Sequence, residues 1–120
     1  MGTRTVLLVE DDDDIRNTLQ EVLELEGYSV VPASNGQQAL DTLAKIKKPS
    51  LILLDLMMPV MTGWEFLEVK QKDINVSDVP VIVFSAAGDR AKIENIKAFV
   101  KKPIEVDTLL NLIELHALHA

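Results

Sequence analysis

Short runs of aliphatic and β-branched residues alternate along this chain with longer stretches whose apolar residues recur at helical spacing. That alternation admits few folds and points to an open parallel sheet covered by helices on both faces. The runs stand at Thr5 to Val9, Tyr28 to Ala33, Leu51 to Leu54, Val81 to Phe84 and Ala98 to Lys101. Between the first two, Ile15, Leu19, Val22 and Leu23 fall at i, i+4, i+7 and i+8 and predict a first helix. Gly27, suited to a left-handed helix end, stops it. A second helix is expected from a cap at Asn35 through Ala39, Leu40, Leu43 and Ile46, with Pro49 ending it. A third, around Trp64 to Lys72, is expected to bury Trp64 and Leu67.

Strand order follows from what each run can tolerate. Val6 to Val9, Leu51 to Leu54 and Val81 to Phe84 are continuously apolar, as strands covered on both faces must be, so they are central. Pro32 cannot donate to a ladder and assigns the second run to an edge. The resulting expectation is a doubly wound, five-stranded α/β sheet of order 2-1-3-4-5. In such a sheet the functional crevice lies beyond the carboxyl ends of the strands, beside strand one.

The 120 residues suffice for one domain, 1–120, with a single core and no room for a second. With 48% apolar and 26% charged residues the composition is that of a globular protein, and disorder is excluded. No apolar run approaches the ~20 residues that span a bilayer, and no secretory signal follows Met1, so a cytoplasmic location is the expectation. The absence of cysteine excludes disulfides, thiolate nucleophiles and zinc–thiolate sites, and the two histidines come late. Carboxylates are the reactive stock that remains. A net charge of −7 repels phosphate backbones and anionic lipid, arguing against direct binding of nucleic acid or membrane.

The strand ends collect the chemistry. Glu10 to Asp14 follow the first strand, Asp55 the third, Ser85 the fourth, and Lys101 and Lys102 the fifth. Asp12 to Asp14 read as a helix start, where carboxylates meet the positive end of the helix dipole. Glu10 and Asp11 instead fall in the crevice close to Asp55, where like charges repel one another unless a cation intervenes. Hard carboxylate oxygens with open positions suit magnesium.

Four pieces in order, Val6-Leu7-Leu8-Val9-Glu10-Asp11 with Arg16, Leu53-Leu54-Asp55-Leu56-Met57-Met58-Pro59 with Gly63, Val83-Phe84-Ser85-Ala86, and Phe99-Val100-Lys101-Lys102-Pro103, give the sequence its resemblance to the receiver domains of two-component response regulators. The likeness covers nearly the whole chain and implies a flavodoxin-like sheet. It further implies that Asp55 accepts a phosphoryl group from a phosphohistidine on a histidine kinase or phosphotransfer protein. Asp11 and Asp55 would ligate Mg2+, Glu10 through water, and the main-chain carbonyl of Met57 would complete the set. Glu10 stands where the family more often has Asp. Lys102 and magnesium would supply positive charge from two sides, Ser85 would donate to a phosphoryl oxygen, and Phe99 matches the aromatic switch position that follows Ser85. Lys101 reads as the solvated neighbour, and the Lys102–Pro103 bond is expected to be cis by the same likeness.

Two features depart from the family pattern. Only sixteen residues, 86–101, separate Ser85 from Lys102, which leaves Asp89 to Ile96 for a shortened fourth helix of about two turns. On the last helix, Val106, Leu109, Leu110, Ile113 and Ala117 form a core stripe, while Leu112, Leu115 and Leu118 suggest a second stripe for a protein target or a weak homodimer. Met57 and Ala87 offer no hydrogen bond to an attacking water, so slow autodephosphorylation is expected from what is a switch and not an enzyme. An aspartate-nucleophile phosphatase would need an Asp at position 57, and a flavin module would need a phosphate-binding loop after strand one. A degenerate receiver acting as a phosphorylation-independent protein-binding module is the alternative, and the intact Asp11, Asp55, Ser85 and Lys102 argue against it.

Overall fold

The computed structural model describes residues 3–86 and 93–119. Five parallel strands, β1 (Thr5–Val9), β2 (Ser29–Ala33), β3 (Leu51–Leu54), β4 (Val81–Ser85) and β5 (Ala98–Lys101), form one sheet in the order β2-β1-β3-β4-β5. The helices are α1 (Asp13–Leu25), α2 (Gly36–Leu43), α3 (Gly63–Lys72) and α4 (Val106–His116). Side chains alternate across each strand, so each run feeds two cores. Leu7, Val9, Ile52, Leu54, Val81 and Val83 pack with Ala39 of α2 and Phe66 and Leu67 of α3. Val6, Leu8, Leu51, Leu53, Ile82 and Phe84 pack with Leu19 and Leu23 of α1 and Leu109 and Ile113 of α4. The two-sided burial explains why β1, β3 and β4 read as unbroken apolar runs. Pro32 sits opposite Leu8 on the edge strand β2.

Local signals set the helix ends. The Asp12 carboxylate accepts from the Ile15 N–H and caps α1, with Asp13 and Asp14 in its first turn, as the helix-start reading of these acids requires. At the other end Tyr28 N–H bonds Leu23 C=O and Gly27 N–H bonds Glu24 C=O, and Gly27 takes the positive φ of 95° that this paired closure demands. Asn35 caps α2, but the helix stops at Leu43, well before Pro49. Thr42 C=O accepts from both Lys45 and Ile46, a tightened final turn that leaves Ile46 outside the helix.

Trp64 is 38% exposed, against the expectation that α3 buries it. The buried face of α3 runs through Gly63, Phe66, Leu67 and Lys70, at i, i+3, i+4 and i+7, and Trp64 lies off that face. Lys70 completes it with a cation that is 2% exposed and donates to Ser77 C=O at 3.0 Å. Of the expected fourth-helix segment, 89–96, residues 89–92 lie outside the described residues. The remainder, 93–96, is not helical, and Ile93 and Ile96 pack into the core on the α2–α3 side.

The second stripe on the last helix is corrected by the packing. Leu112 lies partly buried against the α1–α4 core, and Leu118 falls beyond the helix, its N–H bonded to Ser50 C=O at 2.9 Å. Leu115 stands out on the helix at 73% exposure, and Val106, expected in the core stripe, is exposed as well.

Candidate functional site

The main chain carries the sheet register past the strand ends and so fixes the acidic residues. Glu10 N–H donates to Ala33 C=O and Asp55 N–H to Val9 C=O, each at 3.0 Å. Both side chains are then held at the carboxyl end of the sheet between β1 and β3, with Glu10 0% and Asp55 3% exposed. Arg16, one turn into α1, donates through Nη1 to Glu10 C=O at 2.9 Å and pairs through Nη2 with Asp13. It fastens the turn that bears Glu10 and Asp11, a role the sequence reading did not assign. Its spacing of six from Glu10 was the available signal.

On the other side, Gly63 N–H donates to Leu56 C=O at 2.9 Å and anchors the loop after β3. A β-carbon at Gly63 would lie 2.5 Å from Asp55 O and 2.7 Å from Leu56 Cα, so only glycine permits this approach. Met57 N–H leans toward Asp55 Oδ1 at 3.4 Å, while the Met57 side chain is exposed.

Lys102 enters from β5, its N–H held by Ser85 C=O at 3.0 Å. Its Nζ reaches Glu10 Oε1 at 2.8 Å and Asp55 Oδ2 at 3.4 Å, and it lies 5.4 Å from the centre of the Phe84 ring. Phe84 is a further contributor that its apolar context concealed, since it reads as a core residue and is one. The Lys102–Pro103 peptide is cis, and Lys101 is exposed, in line with the expectations for both.

The charges are interdependent. Burial pushes the Glu10 carboxyl up to about 7, against the pull of the Lys102 bond and the Asp12 N–H. Burial works against the Lys102 charge as well, but its bond to Glu10 and the nearby Asp55 outweigh it and raise its pKa. Among the described residues, Glu10, Asp11 and Asp55 offer carboxylate oxygens within 4.8 Å of one another. Such a set of hard oxygen donors, open on the exposed Asp11 side, fits a magnesium ion.

Ser85 is buried at the end of β4. In strand alternation it shares a face with Val81 and Val83, the side against which Phe99 packs half-buried. Phe99 pairs with Val83, two positions back from Ser85, so it lies within the sheet rather than at the strand ends. Ala87 lies outside the described residues.

Residues 6–114 match the response regulator receiver domain family. The chain belongs to this family. It is 34% identical to sporulation initiation phosphotransferase F of Bacillus subtilis, covering 95% of this chain and 94% of that protein. The polar-differentiation response regulator DivK of Brucella anthropi is 31% identical, with 92% and 94% covered. Against the probable transcriptional regulator ycf27 of Cyanophora paradoxa identity is 38%, but the match spans only 36% of that protein. Among solved structures, the chemotaxis protein CheY4 of Vibrio cholerae superposes with a TM-score of 0.87 at 27% identity, over 96% of this chain and 99% of that one. The response regulator TrrA of Thermotoga maritima, in complex with Mg2+–BeF, gives 0.85 at 28% identity, over 94% and 98%. The receiver domain is thus a two-component signalling module, and no helix among its described residues is long and apolar enough to cross a membrane.

Proposed function

We propose that this receiver domain is a phosphorelay switch in which Asp55 accepts a phosphoryl group from a phosphohistidine on a histidine kinase or phosphotransfer protein. The observation that carries the reading is the Lys102 ammonium set between two buried carboxylates, Glu10 and Asp55. A carboxylate attacks an anionic phosphoryl group only when charge is neutralised and the reactants are aligned. In the transfer an Asp55 carboxylate oxygen forms the new O–P bond as the P–N bond to the donor imidazole breaks. The imidazole leaves with the bonding pair and takes a proton from solvent. Asp11 and Asp55, Glu10 through water and the main-chain carbonyl of Met57 would hold Mg2+, which supplies positive charge to the phosphoryl oxygens. TrrA, solved with Mg2+ and a beryllium fluoride, a stand-in for a phosphoryl group, supports the carry-over.

Lys102 then exchanges its carboxylate partners for a phosphoryl oxygen. Ser85 donates its hydroxyl to another, and its inward shift is followed by Phe99 on the same face of the sheet. The consequence is a changed surface for a downstream protein, with no separate substrate turned over. The Met57 side chain offers no good hydrogen bond to orient an attacking water, so the phosphorylated state is long-lived. Met57→Asn should shorten its lifetime severalfold, read by the decay of the phosphorylated species.

Incubation with acetyl phosphate and magnesium, followed by intact mass, tests the assignment. One phosphoryl group is expected on the wild type and none on Asp55→Asn. A phosphoryl group mapped to Asp12 or Asp13 would overturn it.

A further inference from the structure

The opposite pole of the sheet holds a cavity of about 390 Å3. Lys47, Lys48 and His119 line it together with the hydroxyl residues Thr3, Thr5 and Ser50, and none of the described lining residues has a carboxylate side chain. That is a distinctive local balance in a chain of net charge −7. Lys48 is engaged by Asp78 at 2.8 Å, whereas Lys47 makes no ion pair among the described residues.

Ser50 supplies the independent sign of a ligand. It is 6% exposed, and both of its main-chain groups are used, the N–H by Thr5 C=O at 2.8 Å and the C=O by Leu118 N–H at 2.9 Å. Its hydroxyl has no protein partner among the described residues, yet none of their sealed-off polar atoms is left unpaired. The hydroxyl is therefore not sealed off from solvent, and Ser50 lines the cavity. A buried hydroxyl with an open hydrogen bond, beside a lysine with an open charge, is complementary to an oxyanion.

We propose that this cavity binds a small phosphate-class oxyanion, as inorganic phosphate or as the phosphate of a small monoester. Ser50 and Lys47 are its principal contacts, and Thr3, Thr5 and His119 complete the wall. The volume exceeds the ~30 Å3 share of one water many times over, so an organic substituent also fits. The site is separate from the acidic one. Ser50 immediately precedes β3 and Asp55 immediately follows it, five residues apart and so about 16 Å along an extended strand.

The test uses the Asp55→Asn chain, which keeps acyl phosphorylation out of the readout, and follows amide NMR shifts in inorganic phosphate and, separately, in phenyl phosphate. Sodium chloride at equal ionic strength is the control. Saturable shifts at Ser50, Thr5 and Leu118 are expected with phosphate and not with chloride. Lys47→Gln and Ser50→Ala should each weaken binding roughly tenfold while the remaining spectrum stays that of the parent. Tighter binding of phenyl phosphate would assign the site to monoesters, and equal or weaker binding to phosphate itself. Shifts that do not saturate, that chloride reproduces, that survive both substitutions, or that fall only around Lys102 would overturn the proposal.

Discussion

Glu10 carries a carboxyl that burial makes hard to ionise, next to an ammonium that needs it ionised. Its value near 7 in the metal-free protein compares with 4.5 for an ordinary glutamate. Between those values the folded state holds a proton that the unfolded chain has released, so the Glu10 contribution is most favourable below 4.5 and is lost as pH rises toward 7. The loss is of order 3 kcal/mol. Urea unfolding in EDTA should show wild-type stability falling relative to Glu10→Gln across that window. Magnesium should remove the difference, because a metal bound to the folded state competes with the proton. A flat difference with pH would mean that Glu10 is not desolvated.

At the scale of elements, the start of α3 and the end of β3 are one device. The Thr62 hydroxyl accepts from Glu65 N–H and the Glu65 carboxylate accepts from Thr62 N–H, a reciprocal box that fixes the first turn of α3. That turn presents Gly63 flat against the Asp55 carbonyl. Gly63→Ala forces a β-carbon onto backbone atoms that cannot rotate away, at a cost of about 3 kcal/mol. Because the clash is with Asp55 itself, the rate of phosphorylation should fall as well. Calorimetry with the acetyl phosphate assay checks both. Thr62→Ala, which only opens the cap, should cost about 1 kcal/mol and leave Asp55 in position.

For the whole molecule, the packing of α4 decides how much of its apolar surface is free. Leu115→Glu should change stability by less than about 0.5 kcal/mol and leave the sedimentation profile unaltered, since no second stripe surrounds that residue. Leu112→Glu should cost roughly 2 kcal/mol by placing a charge against the core. Equal effects on stability, or dissociation of a dimer by Leu115→Glu, would restore the two-faced helix. The sequence by itself determined the layers, the strand order and the strand-end placement of Glu10, Asp11, Asp55, Ser85 and Lys102. Burial on both faces writes itself as unbroken apolar runs, Pro32 marks an edge, and a strand's end marks the crevice. What only the tertiary structure decided depends on which groups meet across elements. Trp64 turned outward because Gly63, Phe66, Leu67 and Lys70 took the buried face, and no periodicity announces a lysine in that position. The Lys102 reach to both Glu10 and Asp55, the Phe84 ring beneath it and the Ser50 hydroxyl open at the far pole arise from chain segments brought together by the sheet, whose distances no local spacing encodes.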